Sequence, residues 1–297
     1  MNKRSAATLL VLFGGLFLLF LVFMAILSVA LGGVGPRGGI AVGVVELKGV
    51  IHDSRKVSEQ LWEMAEGDAP ALVLRIDSPG GSVGPSQEIY EEVLRIRKET
   101  GKPVVASMGA VAASGGYYAA IACDRIVANP GTITGSVGVI MQTASAEEWV
   151  DLARLDIEVF KSGALKDSGS PVRELSVADR SLFQGMIKDI FEQFHGAVRE
   201  RRELSDEAAA TVADGRVLSG RQAKELGLVD KLGNLGSAAR LALELAGVEG
   251  TPRLVYPRED VPDWVRKLIR TGAQAVADGV EAVPSVKIGY QAPFGRH

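Results

Sequence analysis

The chain has 297 residues, a formal net charge of −3 and one cysteine, Cys123. The absence of a basic excess argues against a nucleic-acid partner, because such partners require a positively charged face. A single cysteine excludes a disulfide within the chain, so stability must come from a buried core. Cys123 ends the apolar stretch 119–123 and is interpreted as a small buried residue rather than a nucleophile.

The N-terminal region contains an uncharged, apolar run from Ala6 to Leu31. Because a helix of about 20 apolar residues spans a bilayer, this run predicts a transmembrane anchor. The alternative is a cleaved signal peptide, whose apolar region is only about 7–15 residues long, although Ser28–Ala30 loosely fits a cleavage site. Lys3 and Arg4 precede the run, so the positive-inside rule places residues 1–5 in the cytoplasm. The sequence therefore predicts a single-pass cell-membrane protein with its main domain outside the cytoplasm.

After a glycine-rich linker at residues 32–39, strand-length apolar runs alternate with helical patterns. Strands are predicted at residues 40–50, 71–76, 103–107, 137–140, 157–160 and 228–230. Helices are predicted at residues 54–66, 85–99, 146–155, 177–202, 221–226 and 237–246, with another beginning near Ser114. Alternation of this kind is typical of parallel β-α-β units, so the predicted class is α/β, with one domain at residues 40–248.

The C-terminal tail, residues 249–297, breaks this alternation with five prolines. One amphipathic segment remains, Asp263–Arg270. It is interpreted either as a helix docked on the protein surface or as a basic, tryptophan-bearing segment that contacts the membrane. The structure of the tail is otherwise left open.

Ser114 is the candidate nucleophile, because it precedes Gly115-Gly116 where a strand meets a helix. Glycine permits a sharp turn and a close approach of substrate, and a helix N-terminus offers free N–H groups. Taken alone, this pattern is better explained by a serine N-cap followed by glycines that allow close packing. Upstream, residues 77–84 form a glycine-rich loop that lacks the spacing of a nucleotide-binding motif. The alternative is that Gly81 and Gly115 donate N–H groups to an oxyanion.

The candidate base is Lys166, which lies in Lys161–Asp167. A lysine can accept a proton if burial lowers its pKa toward neutrality. Ser136 is a candidate for orienting that amine. The three histidines, His52, His195 and His297, stand in contexts that are not typical of catalysis. No cluster has the spacing of metal ligands, so neither a metal nor another cofactor is expected.

These motifs together resemble the short form of the signal peptide peptidase A family. The resemblance rests on Ser-Pro-Gly-Gly (78–81), Ala-Ser-Gly-Gly-Tyr-Tyr (113–118), Thr-Gly-Ser-Val-Gly-Val (134–139), Lys-Ser-Gly-Ala-Leu-Lys-Asp (161–167) and the segment 214–230, in that order. It covers residues 40–248 and implies a ClpP/crotonase-like fold and a membrane-bound endopeptidase that degrades spent signal peptides.

By this resemblance Ser114 is the nucleophile, Lys166 the general base, Gly81 and Gly115 the oxyanion donors, and Ser136 the residue that orients the lysine. The family also implies a homo-oligomeric ring, an octamer by analogy, in which Ser114 faces the lysine of a neighbour. Expected partners are peptide substrates and the lipid bilayer. Three alternatives remain: a protease for one membrane partner, an acyl-CoA-binding protein of crotonase type, and a non-catalytic scaffold.

Overall fold

The computed structural model describes residues 38–258 together with Phe17, Phe20, Phe23, Met24 and Thr271. Within residues 38–258, eight strands form one sheet accompanied by eight helices. All of these elements belong to one compact unit that ends at Pro257. The predicted α/β class is therefore confirmed.

The strands are β1 (Ile40–Lys48), β2 (Leu72–Ser78), β3 (Val104–Ala113), β4 (Arg125–Ala128), β5 (Ile133–Gly135), β6 (Val217–Ser219), β7 (Lys231–Leu232) and β8 (Pro252–Val255). The helices are α1 (Arg55–Glu66), α2 (Val83–Thr100), α3 (Gly115–Ile121), α4 (Glu147–Leu152), α5 (Val177–Arg202), α6 (Asp206–Val212), α7 (Gly220–Glu225) and α8 (Leu235–Leu245).

The main path of the sheet runs β6-β5-β3-β2-β1-β8. All pairs are parallel except β5 with β6. One edge of β3 serves two partners: Val105–Ser107 pairs with β4, and Val111–Ala113 pairs with β5. The register between β2 and β3 shifts between Ile76 and Ser78, just before the glycine-rich loop. The carboxyl ends of β2 and β3 consequently lie side by side, so the loop 77–84 and Ser114 meet at one edge of the sheet.

The sheet is covered on both faces, which explains why its central strands are almost continuously apolar. Alternate residues of β2 face opposite sides: Leu72, Leu74 and Ile76 join one core, and Val73 joins the other. The first core includes residues of α1, α2, α3 and α5, whereas the second is closed by α8. Phe194 and Val198 fix helix α5 to the first core.

Three predicted strands are wrong. Residues 137–140 and 157–160 have no regular structure, and a short strand, β5, lies earlier in the chain at Ile133–Gly135. Residues 228–230 are also irregular, and the strand there is β7, which begins one residue later. Residues 157–160 have strand-like apolar spacing, yet Phe160 is 90% exposed and the segment pairs with no described strand. Strand β8 was not predicted, because Pro252 reads as a breaker; it pairs with β1 at the edge of the sheet, where proline is tolerated.

The predicted anchor, residues 6–31, lies outside the described residues except for four positions that are helical. Among the described residues, no helix is long and apolar enough to cross a membrane. The amphipathic segment Asp263–Arg270 also lies outside them.

Candidate active site

Ser114 sits in a strained turn between β3 and α3. Its backbone angles are φ 51° and ψ −123°, a region that costs a non-glycine residue on the order of 1–3 kcal/mol. Its side chain makes no capping hydrogen bond to α3, although it occupies the N-cap position. Ser114 is therefore the N-cap residue by position, but its side chain does not cap the helix. The turn leaves the hydroxyl unused by the helix and half-buried at the edge of the sheet.

The glycine-rich loop packs directly against this turn. A methyl group on Gly80, which has φ 98°, would lie 2.7 Å from the Gly115 nitrogen and 2.9 Å from the Ser114 Cβ. Gly81 forms a parallel β-bridge with Ile51, in which the Ser82 N–H donates to the Ile51 carbonyl at 2.8 Å. A side chain at Gly81 would meet the Ile51 oxygen at 2.2 Å. Only glycine fits at positions 80 and 81.

The amides of Gly81 and Gly115 are neighbours. A methyl group on Gly115 would lie 3.4 Å from the Gly81 nitrogen. Neither N–H has a hydrogen-bond partner among the residues that the structure describes. Gly115 also begins α3, so the partial positive charge of a helix N-terminus reaches the same point. Two unpaired donors beside a free hydroxyl form an arrangement that can stabilise an oxyanion.

Ser136 lies on a second strained turn next to the first. Its φ is 54°, and it follows Gly135, whose carbonyl accepts the Ser114 N–H at 2.9 Å. The Ser136 N–H donates in turn to the Arg216 carbonyl at 2.7 Å. The antiparallel pairing of β5 with β6, which are distant in the chain, thus holds the main chain of both serines. Of the four described non-glycine residues with positive φ, two are this adjacent pair.

These residues line one cavity of about 650 Å³. Ser114, Gly81, Gly115 and Ser136 all contribute to its wall. The opposite wall comes mainly from α5, which contributes the apolar side chains of Ile187, Ile190, Phe191 and Phe194. The remaining apolar surface comes from Val83, Tyr118, Val139 and Ile140. Tyr118 and Phe194 pack edge to face with ring centroids 4.8 Å apart. The serine therefore opens onto a mostly apolar cleft between the sheet edge and α5.

Lys166 does not line this cavity in its own chain. It is exposed, and its backbone N–H closes a turn to the Gly163 carbonyl at 3.1 Å. Among the described residues, the lysine that does line the cavity is Lys188 of α5. Its ammonium lies 3.7 Å from the Glu192 carboxylate, and its side chain is 72% exposed. The structure thus brings together Ser114, Gly81, Gly115 and Ser136 but leaves Lys166 outside the group.

The other titratable side chains considered for a catalytic role lie away from the Ser114 cavity. Neither described histidine lines the cavity: His52 is exposed after β1, and His195 stacks on Phe191 and contacts the Ala209 carbonyl. Burial raises the pKa of the Cys123 thiol, as expected for an inert core residue. Within the described residues, no group of three His, Cys, Asp or Glu side chains is placed to bind a metal ion.

Sequence reasoning missed the contribution of α5 and of the turn at residues 213–216. Gln184, Ile187, Lys188 and Phe191 recur at helical spacing and all line the cavity, a pattern visible in the sequence. The Asp214 carboxylate accepts two hydrogen bonds from the Arg216 guanidinium, which lowers the Asp214 pKa to about 2. That ion pair braces the turn whose Arg216 carbonyl accepts the Ser136 N–H, and only the tertiary pairing of β5 with β6 reveals the connection.

Comparison with known proteins agrees with this geometry. The profile of peptidase family S49 matches residues 96–249. A putative protease of Synechocystis sp. is 40% identical over 249 residues, which cover 82% of this chain and 88% of that protein. A putative signal peptide peptidase SppA of Enterococcus faecium is 35% identical over 175 residues, 59% of this chain and 51% of that protein. Protease 4 of Salmonella typhi is 38% identical over 176 residues, 59% of this chain and 28% of that protein.

A free serine hydroxyl, two adjacent amide donors without partners among the described residues, and these matches define a serine peptidase. The matches favour that interpretation over acyl-CoA binding or a non-catalytic scaffold. The chain belongs to peptidase family S49, the family of signal peptide peptidase A, as the sequence motifs predicted.

Proposed function

We propose that the protein is a membrane-anchored endopeptidase that uses a Ser114–Lys166 dyad to degrade cleaved signal peptides and other hydrophobic, unfolded peptides. The observation that carries the proposal is the Ser114 hydroxyl, which caps no helix and opens beside two unpaired amides onto an apolar cleft. The ClpP/crotonase-like assignment belongs to the same proposal, and the division of the β3 edge between two strands supports it.

In the proposed mechanism, the neutral amine of Lys166 takes the Ser114 proton as Oγ attacks the peptide carbonyl carbon. The N–H groups of Gly81 and Gly115 stabilise the resulting oxyanion. The Lys166 ammonium then protonates the leaving amine, which gives an acyl-enzyme and restores the neutral base. Water repeats the sequence on the ester and releases the acid. Ser136, on the turn beside Ser114, is proposed to orient the lysine amine.

A second copy of the chain is proposed to supply the lysine. In a single chain Lys166 is exposed and absent from the Ser114 cavity. The segment that carries it also exposes large apolar side chains, among them Ile140 (84%), Trp149 (73%), Leu152 (76%) and Phe160 (90%). Side chains of this kind stabilise a protein when a partner buries them. A homo-oligomeric ring would cover this surface and bring Lys166 to a neighbouring Ser114; an octamer is the expectation from the resemblance.

The substrate class follows from the walls of the cleft. Aromatic and aliphatic side chains of α3 and α5 favour apolar residues, and the edge of the cleft offers few charges apart from Lys188 and Asp214. The proposed anchor at residues 6–31 would hold the site near the bilayer, on the extracytoplasmic side, where hydrophobic peptides remain after secretion. Lipid and apolar peptide are accordingly the proposed partners.

The decisive experiment mixes two inactive full-length proteins in detergent. Ser114→Ala and Lys166→Ala are each assayed alone on a fluorogenic hydrophobic peptide and then after joint refolding. Lys188→Ala is the matched control, because Lys188 is the lysine at the cavity in a single chain. We expect both single variants to be inactive, the mixture to regain part of the activity, and Lys188→Ala to stay within a few-fold of wild type.

The outcomes separate the parts of the proposal. Normal turnover by Lys166→Ala, combined with loss of turnover in Lys188→Ala, would transfer the base to Lys188 within one chain. An inactive mixture whose mixed assemblies are demonstrated by differential tagging would show that the dyad is not shared between chains. An inactive wild type on every hydrophobic peptide would contradict the substrate class.

A further inference from the structure

The segment between β5 and α5 has little regular structure of its own. Its one helix is the six-residue α4, and every side chain from Asp151 to Lys166 is exposed. An exposed segment without a core has few means of fixing a catalytic side chain to better than an ångström. The residues that follow Lys166, however, form a dense network of charged hydrogen bonds.

Arg173 is the centre of this network. Its Nε and Nη2 donate to the two carboxylate oxygens of Asp167 at 2.9 and 3.1 Å, a two-pronged contact with the residue next to Lys166. Its Nη1 donates to the Asp179 carboxylate at 2.7 Å. The planar guanidinium therefore joins two carboxylates in a fixed geometry, which a lysine could not reproduce.

Asp179 connects the network to the helix that lines the cavity. Its side chain is only 1% exposed and lies in the first turn of α5. Ser176 and Asp179 form a capping box, in which the Ser176 N–H donates to the Asp179 carboxylate at 2.9 Å, and the Ser168 hydroxyl donates to the same carboxylate. Arg173 beside it holds the Asp179 pKa well below its usual range, so the carboxylate remains charged and bonded.

Lys161 closes the network from the other side of Lys166. Its ammonium bonds the Asp167 carboxylate at 2.6 Å and the Ala164 carbonyl at 3.2 Å. Lys166 thus lies inside a short loop, residues 161–167, that the bond between Lys161 and Asp167 closes. We call Lys161, Asp167, Arg173 and Asp179 the latch. Through Asp179 the latch is continuous with α5, which Phe194 and Val198 fix to the core.

We infer that Arg173 is a positioning residue for catalysis: through the latch it transmits the rigidity of α5 to the exposed loop that presents Lys166. The inference rests on the proposed role of Lys166 as general base. Arg173 does not line the cavity, so its effect must come through the loop and not through substrate contact.

The test compares three variants of the full-length protein in detergent. Arg173→Gln removes the latch, and Arg173→Lys keeps the charge without the two-pronged geometry. The double variant Arg173→Gln/Asp179→Asn removes the buried carboxylate charge together with its partner, so that folding is less affected. Arg180→Gln is the matched control, because Arg180 is an exposed arginine one residue after Asp179. Turnover, assembly size, melting temperature and hydrogen exchange of residues 161–176 are measured for each.

We expect Arg173→Gln and the double variant to lose about 100-fold in kcat, with KM within about 3-fold, because a misplacement of about 1 Å costs this much. Arg173→Lys should recover part of kcat, and Arg180→Gln should match wild type. Amide protection at residues 161–170 should fall in the two latch-breaking variants, whereas assembly size and the melting temperature of the double variant should stay close to wild type.

Normal kcat in the double variant, despite faster exchange at residues 161–170, would overturn the inference. A fall in kcat that is matched by loss of assembly or of melting temperature would reduce Arg173 to a structural role and would also overturn it. Lys166→Ala serves as the reference: if it retains activity, the proposed dyad fails together with the latch. If Lys166→Ala is inactive and the latch variants are active, only the latch fails.

Discussion

The two halves of the proposed dyad are held in opposite ways. Around Ser114 the main chain fixes the geometry: two strained serine turns, two glycine turns and the ends of buried parallel strands meet at one point. Around Lys166 the side chains do this, because the loop is exposed and an ion-pair network takes the place of a core. The proposed nucleophile is thus preorganised within one chain, whereas the proposed base is ordered on a surface that a neighbouring chain is proposed to cover.

The largest expected effect comes from a substitution at Gly81, in the glycine-rich loop beside Ser114. In Gly81→Ala the new methyl group meets the Ile51 carbonyl oxygen at 2.2 Å, so the bridge to Ile51 must open and the Gly81 amide must move. Loss of one oxyanion donor typically lowers kcat by about 10²–10³-fold, and the strain should cost about 1–3 kcal/mol of stability. Peptidase assays and urea unfolding measure both quantities.

Gly84→Ala is the control for this change, because a methyl group there meets nothing within 4 Å. It lies in the first turn of α2, so activity should stay within a few-fold of wild type and stability should not fall. Equal activity of Gly81→Ala and Gly84→Ala would contradict the role assigned to the Gly81 amide.

The next largest effect should come from a substitution on the exposed apolar surface of the segment that carries Lys166. Phe160→Glu puts a charge on a side chain that is 90% exposed in a single chain, so the fold should be unaffected. If a second copy buries this surface, the variant should dissociate and lose about 10-fold or more in activity at fixed protein concentration. Light scattering after size exclusion gives the mass.

Leu245→Glu is the matched variant for Phe160→Glu. Leu245 is also partly exposed, but it lies at the end of α8, on the other face of the sheet. We expect its assembly and activity to resemble wild type. Wild-type mass for Phe160→Glu would remove the main physical argument for a partner at this surface.

A moderate effect is expected at Ser136, which lies beside Ser114 and is proposed to orient the Lys166 amine. Ser136→Ala removes the hydroxyl that is proposed to orient the amine and leaves the Ser136 N–H bond to the Arg216 carbonyl intact. Since alanine tolerates φ 54° no better than serine, the backbone strain is nearly unchanged. We expect kcat to fall by about 10-fold, because the amine that is proposed to act as base loses a hydrogen-bond partner. Wild-type kcat in Ser136→Ala would argue that Ser136 is structural only.

The smallest effect concerns the ion pair that braces the Ser136 turn. Arg216 lowers the Asp214 pKa to about 2, below the value of about 3.9 for an unfolded chain. A carboxyl whose pKa is lowered by folding stabilises the folded state above the unfolded value, and this contribution disappears as the pH falls to the folded value. Asp214→Asn should therefore be slightly less stable than wild type at pH 7, and the difference should vanish between about pH 4 and pH 2.

Urea unfolding midpoints of wild type and Asp214→Asn, measured at intervals across this pH range, test the sign of the stability difference. Because Asp214 and Arg216 are both about half exposed, the effect should also shrink in high salt. A difference that grows as the pH falls would mean that Asp214 is not held in its charged form by Arg216.

The grouping of glycines around Ser114 was largely predictable from sequence. Glycines at 81 and 115 beside Ser114 reflect local steric limits, which leave a signature at fixed positions. The helix of the latch region was also predictable, since residues 177–202 match α5 at both ends. What local patterns could not show was the relation between distant segments. Lys188 lies at the cavity instead of Lys166, Arg216 lies behind Ser136, and the apolar side chains of residues 157–160 are exposed and pair with no described strand. These depend on tertiary contacts, which have no fixed spacing in the chain.

The positive φ of Ser114 also limits which nucleophiles this fold could adopt. Cysteine has the same branching as serine at Cβ and could occupy the turn at a similar cost in backbone energy. Threonine carries a second heavy atom on Cβ, and a β-branched side chain at φ 51° is strongly disfavoured. An evolutionary exchange of the nucleophile is therefore open toward a thiol and closed toward a secondary alcohol, for reasons that lie in the main chain and not in the reaction.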